Sequence, residues 1–408
     1  MPIRSQVWPP PALLVVHWLQ TPTGALANYM LNAAGTGLLQ RESRHRVAMR
    51  LRWTAPAYDR MRAHTERVVI VALTSVELCA GAGGQAVGLE QAGFTHLACV
   101  EYDKHACTTL RTNRPQWNTV EMDLNEWSGA PYVGITDLVA GGVPCPPFSK
   151  AGRQLGADDE RNLFPRALDL IEEIGPKAVM LENVRGLMDP VFKDFRAEVE
   201  GRLENMGYKS SWRLLKASDF GVSQLRPRTI LVGIKDPWAE HFVWPEPHKR
   251  PAKSVGALLR DHMAANGWEG ADAWAAGADT IAPTLVGGSL KHGGPDLGPT
   301  RARAAWAELG VEGRTIANEP PAPGFVGMPR LTVQMGALIQ GFPADWIFPG
   351  TKTASWRQVG NAFPPPVPAA VGKQIRKALE AVRVEPATEP QPESLAAPIS
   401  RTPELAAL

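Results

Sequence analysis

Val76-Glu77-Leu78-Cys79-Ala80-Gly81-Ala82-Gly83-Gly84 is an apolar run that breaks into a glycine-rich turn, and its reading decides the fold. With Val68-Val69-Ile70-Val71-Ala72-Leu73 ahead of it, the run has the composition of a strand buried on both faces, as parallel strands are. The glycines let the backbone approach a ligand closely, and a helix expected over 85–92 would present its unpaired N–H groups there. Outward from this point the pattern repeats. Leu97-Ala98-Cys99-Val100-Glu101 is a short strand ending in an acid, and a helix is expected over 104–112. Asp137-Leu138-Val139-Ala140, Ala178-Val179-Met180-Leu181-Glu182 and Thr229-Ile230-Leu231-Val232-Gly233-Ile234 are further strands, with a helix over 192–206. Strands alternating with helices predict an α/β fold, a doubly wound, mostly parallel sheet. Ligands of such sheets sit at the carboxyl ends of the strands.

Residues with chemistry fall at those ends. Glu101 lies about 20 residues after the glycines, where an acid can bind a ribose hydroxyl pair. Asp123 ends a third segment and could accept from an adenine amino group. Gly141-Gly142-Val143-Pro144-Cys145-Pro146-Pro147-Phe148-Ser149 is a rigid loop after a buried strand, and it carries a thiol whose thiolate would be the nucleophile. Glu182-Asn183-Val184 and Gln224-Leu225-Arg226-Pro227-Arg228 bring a carboxyl and two guanidiniums to the same edge. Each feature has a plainer reading: a structural turn, an inert buried thiol, a helix cap, a solvated face.

The remaining composition bounds the class. Of 408 residues, 43 are basic and 41 acidic, so the chain is no polycation that coats nucleic acid indiscriminately. Charge is uneven: residues 1–70 hold nine arginines, no lysine and three acids, whereas 384–408 hold one arginine and four acids. No stretch reaches the roughly 18 apolar residues of a membrane span. The four cysteines, Cys79, Cys99, Cys107 and Cys145, have no C-x-x-C spacing and no accompanying histidine cluster, so neither a zinc site nor a disulfide framework is expected. Residues 1–66 read as a poorly ordered or non-native extension, with Met49 and Met61 as alternative starts, although the arginine-rich, acid-poor part resembles a transit peptide. Residues 67–244 read as a catalytic and cofactor-binding domain, 245–327 as a small glycine-crowded, loop-rich second domain, 328–382 as a return to the first, and 383–408 as a disordered tail.

These pieces, in this order, strongly resemble the DNA cytosine-5 methyltransferase family of bacterial type. Arg330-Leu331-Thr332, Leu338-Ile339-Gln340-Gly341-Phe342-Pro343 and Gln358-Val359-Gly360-Asn361-Ala362-Phe363-Pro364-Pro365 match its remaining motifs. The resemblance implies a Rossmann-like methyltransferase fold with S-adenosylmethionine as cofactor. It implies that Leu78, Cys79, Ala80, Gly81, Gly83, Gly84, Glu101, Tyr102, Asp123, Leu124, Pro144, Asn361 and Ala362 bind that cofactor. It makes Cys145 the nucleophile on C6 of a flipped-out cytosine, Glu182 the group that protonates N3, and Arg228 the ligand of O2, with Arg226 and Asn183 assisting. Glu182 would need a pKa raised by burial.

The second domain would be the target recognition domain of duplex DNA. Gln224, Ser149, Lys291, His292, Arg301 and Arg303 are its expected DNA contacts. Further implications are a restriction-modification role beside a cognate restriction endonuclease, a monomer, no membrane partner, and a cytoplasmic, nucleoid-associated location. The sequence departs from the family in Cys79, where Phe is usual, and in Pro146, where Gln is frequent. An RNA cytosine methyltransferase and a catalytically dead DNA-binding homologue are the alternatives. A dehydrogenase would lack both G-x-G-x-x-G and a role for Cys145.

Overall fold

The computed structural model describes residues 72–144, 162–287 and 294–382, together with three strands nearer the N-terminus. Two compact units are present, Met1–Val71 and Ala72–Leu408. In the first, β1 (Val16–Gln20), β2 (Leu26–Leu31) and β3 (Gly37–Gln40) form an antiparallel sheet in that order. The rest of the expected N-terminal extension and the tail 383–408 lie outside the described residues.

The second unit is built on β4 (Leu73–Leu78), β5 (Phe94–Glu101), β6 (Thr119–Glu121), β7 (Leu138–Gly141), β8 (Ala178–Val184), β9 (Tyr208–Lys216) and β10 (Pro227–Lys235). Their order across the sheet is β6-β5-β4-β7-β8-β10-β9. Neighbours from β6 to β8 are parallel, while β10 runs antiparallel to both β8 and β9. The helices are α1 (Gly84–Ala92), α2 (Lys104–Asn113), α3 (Phe164–Ile174), α4 (Lys193–Asn205), α5 (Val255–Met263), α6 (Ala271–Gly277), α7 (Thr300–Glu308), α8 (Val333–Gln340), α9 (Lys352–Asn361) and α10 (Pro366–Ala381).

Strand alternation divides the core in two. Val76, Leu78, Val100, Val139, Val179, Leu181 and Leu231 pack on one face with Phe164, Leu168 and Ile171 of α3 and with Val199 and Leu203 of α4. Leu138, Ala140, Ala178, Met180, Ile230 and Val232 pack on the other with Leu89 of α1 and with Val367, Val371 and Ile375 of α10. Both faces are covered, which is why the strands read as unbroken apolar runs rather than as alternating ones. Each fully buried aliphatic side chain contributes roughly 1.5–3 kcal/mol.

Residues 245–327 are helical as well as loop-rich. Their core of Val255, Leu259, Met263, Trp274, Leu285, Leu297 and Trp306 continues into Leu331, Met335 and Ile339 of the α8 region and Trp356 of α9. This region therefore shares its hydrophobic interior with the returning chain. Between β10 and α5 the chain passes back beside the edge strand β9. There Trp244 Nε1 donates to Ser211 Oγ (3.1 Å), and the Arg213 guanidinium lies 5.9 Å from the Trp244 ring.

Candidate active site

The turn after β4 is held by its own backbone and by Glu101, and it leads into a helix that has no side-chain cap. Cys79 takes a left-handed φ of 53°, unusual for a residue with a side chain, and Gly83 precedes α1 without any side-chain cap. Ala80 N–H donates to Val100 O (3.0 Å) and Gly83 N–H to Ala80 O (3.0 Å). Gly84 is required by close approach: a Cβ there would stand 2.2 Å from Phe363 O. The last motif of the chain is thus laid directly on the first, and Ala362 packs in one cluster with Ala80 and Ala82.

Glu101 ends β5 and is buried. Its Oε2 accepts from Gly81 N–H (2.7 Å), and its Oε1 accepts from Tyr102 N–H (2.9 Å) and Asp103 N–H (2.8 Å). Burial raises its pKa, against the pull of those three donors. A carboxylate has about four lone-pair positions, so acceptor capacity remains. Tyr102 is 72% exposed and Met122 40%, at the ends of neighbouring strands. Asp123 is exposed, and its Oδ1 accepts from Asn125 N–H (2.8 Å). The Cys79 thiol is pushed up to about 12 by burial first, then by the charges of Glu101 and Asp123. The uncapped start of α1, spare acceptors and an open aromatic face therefore converge beside Cys79, which suits an adenosine-bearing cofactor. The Leu124 side chain lies in the core with Trp127, which leaves its backbone for the cofactor.

A second cluster stands one strand over. Gly141 pairs with Leu181, so the segment leaving β7 departs beside the end of β8. Glu182 Oε1 and Arg228 Nε are 2.7 Å apart, and each side chain is only 12% exposed. The ladder explains the pair. Arg228 stands opposite Val184 and Ile230 opposite Glu182, so Arg228 and Glu182 share a face as diagonal neighbours. Burial raises the Glu182 pKa, in the expected direction, while Arg228 and then Arg226 oppose the rise. Glu182 Oε2 lies 3.2 Å from where a Cβ on Gly142 would be. Asn183 braces the loop: its Nδ2 donates to Val143 O (2.9 Å) and its Oδ1 accepts from Val184 N–H (2.9 Å). Pro144 closes the described part of this segment, accepting from Leu163 N–H (3.4 Å). Cys145 and Ser149 lie outside the described residues.

Two expectations need correction. Gln224, expected on DNA, is fully buried. Its Oε1 accepts from Leu285 N–H (2.7 Å) and its Nε2 donates to Gln340 Oε1 (2.9 Å), so neither end of the amide faces solvent. Arg226, expected to assist Arg228 or contact the backbone, is 1% exposed and spends its guanidinium on Leu285 O and Gly360 O (2.7 Å each). Arg301 is exposed, and Arg303 is half-buried with Nη2 donating to Thr300 Oγ1 (3.3 Å). Lys291 and His292 lie outside the described residues. Asn361 is exposed at the end of α9. Sequence reasoning missed Gln340, whose Nε2 donates to Val359 O (2.6 Å), and Gln358, whose Oε1 accepts from Thr109 Oγ1 (2.6 Å). Both stand inside motifs that the sequence offers, where nothing marks an amide whose partner is another part of the chain. Among the described residues no helix is long and apolar enough to cross a membrane.

Comparison with known proteins agrees with this layout. The model of the family described as C-5 cytosine-specific DNA methylase matches residues 73–377. The type II methyltransferase M.NaeI of Lentzea aerocolonigenes is 56% identical over 313 residues, 75% of each chain. The type II methyltransferase M.NgoMIV of Neisseria gonorrhoeae is 53% identical over 312 residues, 75% of this chain and 98% of that one. In fold, the Entamoeba histolytica methyltransferase EhMeth superposes with a TM-score of 0.54 at 16% identity, over 75% of this chain and 98% of its own.

Proposed function

Because the chain belongs to the C-5 cytosine-specific DNA methylase family, we propose that Cys145, Glu182 and Arg228 form the centre that activates cytosine. The family's reaction is methyl transfer from S-adenosylmethionine to C5 of cytosine in DNA. C5 is a poor nucleophile until the ring gains electron density. The Cys145 thiolate supplies that density by adding to C6. Glu182, kept protonated longer than an exposed glutamate by burial, donates to N3 and draws the charge through the ring. Arg228 holds Glu182 in place and steadies O2, while Asn183 fixes the Val143 carbonyl two residues before the thiol. The base must leave the stack for C6 to be reached. Bound S-adenosylmethionine would supply the methyl group, after which the C5 proton is lost and the Cys145–C6 bond breaks, which frees the methylated base and the thiolate. The uncapped turn at 81–84, Glu101, Tyr102, Asp123 and Asn361 would hold the cofactor.

The observation that carries this reading is the buried Glu182–Arg228 pair, 2.7 Å apart, at the strand end beside which the segment leaving β7 departs; Cys145 follows that segment in sequence. Duplex DNA amplified with 5-fluorocytosine tests it, since fluorine cannot leave as a proton does. Wild type with S-adenosylmethionine should give a denaturation-resistant adduct, and Cys145→Ala none. An adduct on Cys145→Ala would refute the assignment.

We read 245–327 as the region that selects a sequence in duplex DNA, through Arg301 and Arg303 and through Lys291 and His292. Bisulfite sequencing of plasmid from expressing cells should show methylation confined to one short site. Similarity to proteins named type II methyltransferases favours a protective role beside a cognate restriction endonuclease in the cytoplasm. Such plasmid would resist a nuclease cutting at that site. A monomer of 44.2 kDa is expected in sedimentation.

A further inference from the structure

The five residues 224–228 carry three polar side chains at alternate positions. Only the third, Arg228, meets Glu182. The other two close on one residue of the neighbouring region, from the two peptide groups that flank it. Gln224 Oε1 accepts the Leu285 N–H, and Arg226 Nη1 donates to the Leu285 carbonyl, each at 2.7 Å. The backbone joins in, with Leu225 N–H donating to Ala282 O (3.0 Å) and Ala282 N–H to Ser223 O (2.9 Å). The same two side chains hold the end of α9. Arg226 Nη2 donates to Gly360 O (2.7 Å), and Gln224 reaches Val359 O through Gln340. All three, Gln224, Arg226 and Gln340, are at most 1% exposed.

The segments so held cross in near contact. A Cβ on Gly360 would stand 2.2 Å from Gly287 N, and one on Gly287 would stand 2.5 Å from Asn361 Oδ1. No side chain fits between them, so the two backbones meet directly and the clasp fixes their register. A buried guanidinium so far from solvent is expensive to keep. Arg satisfies two carbonyls at once through its planar fork, which a lysine cannot.

We infer that Gln224 and Arg226 are positioning residues that fix residues 282–287 against the end of α9, and thereby set where the DNA-reading region stands relative to the Glu182–Arg228 pair. They act on target discrimination without touching DNA. The inference rests on 245–327 being the DNA-reading region.

Arg226→Lys keeps the charge and loses the fork. The readout is bisulfite sequencing of one plasmid methylated in vitro by wild type and by variant, comparing the wild-type site with sites one base pair removed. In Arg226→Lys the preference for the wild-type site should fall about tenfold, of the order that one mismatched pair is worth. KM for plasmid DNA should rise. Unchanged preference and KM with a lowered kcat would overturn the inference and place Arg226 on the reacting base. If Arg226→Lys does not fold, Gln224→Met carries the test: the Leu285 amide should exchange its hydrogen at least about tenfold faster, and an unchanged rate overturns the inference. A wild type that methylates without regard to neighbouring sequence would instead defeat the underlying reading of 245–327.

Discussion

Glu77 is a carboxyl without a partner. It is fully buried in β4, and neither of its oxygens has a hydrogen bond. Burial lifts its pKa to about 8. Between the ordinary carboxylate range and about 8, the folded chain keeps a proton that the unfolded chain releases. Stability should therefore fall as pH rises across that window and level off above it. Glu77→Gln removes the slope, so its melting temperature should exceed wild type at pH 8 and match it near pH 5 in calorimetric scans. Glu182 is raised by the same cause, but it has Arg228 beside it and a task. Glu182→Gln can offer N3 a hydrogen bond but cannot transfer a proton to it, and kcat should drop by about 10²–10⁴. In wild type, kcat/KM should decline on the alkaline side as Glu182 ionises, and a pH profile of methyl transfer checks this. Glu101, Glu182 and Arg228 were legible in the sequence because each follows or opens an apolar run. Gln224 and Arg226 were misassigned because a polar residue in a motif gives no sign of whether its partner is DNA or another part of the chain.

At the scale of elements, the brace by Asn183 links β8 to the loop from β7. Asn183→Asp keeps the acceptor for Val184 N–H and loses the donor to Val143 O. One such buried hydrogen bond is worth about 1–3 kcal/mol. The loop should loosen and kcat should fall about tenfold, with the S-adenosylmethionine Kd unaffected. The central strands β4, β5, β7, β8 and β10 were legible because both their faces are buried. The edge strands were not: β6 has three residues, and β9 alternates exposed Lys209, Arg213 and Lys216 with its few buried positions. Nor was α3 legible, although Phe164, Ala167, Leu168, Ile171 and Ile174 make a regular buried stripe. Its Pro165 punctuates the sequence like a break, yet sits in the first turn, where proline is tolerated.

For the whole molecule, the family match of 73–377 falls within the second compact unit, which begins at Ala72. A chain starting at residue 72 should keep kcat/KM for plasmid DNA within about twofold, as expected where two units contribute independently. A drop of tenfold or more would mean that the first unit takes part in turnover. The central part of the sequence is close to neutral, so its affinity for DNA cannot come from bulk charge. Nothing in composition foretold that residues 245–327 would share an interior with α8 and α9, since a shared core leaves no compositional seam.

The reversed strand β10 leaves β9 as the outermost strand, paired on one side only. An open edge is a template on which a second copy can add its own strand and begin an aggregate. Here Lys209, Arg213 and Lys216 rim that edge, and the returning chain lays Trp244 across Ser211 and Arg213. Like charges brought edge to edge repel. Replacing those three cations with serine should therefore show in the light scattering of concentrated solutions before it shows in turnover.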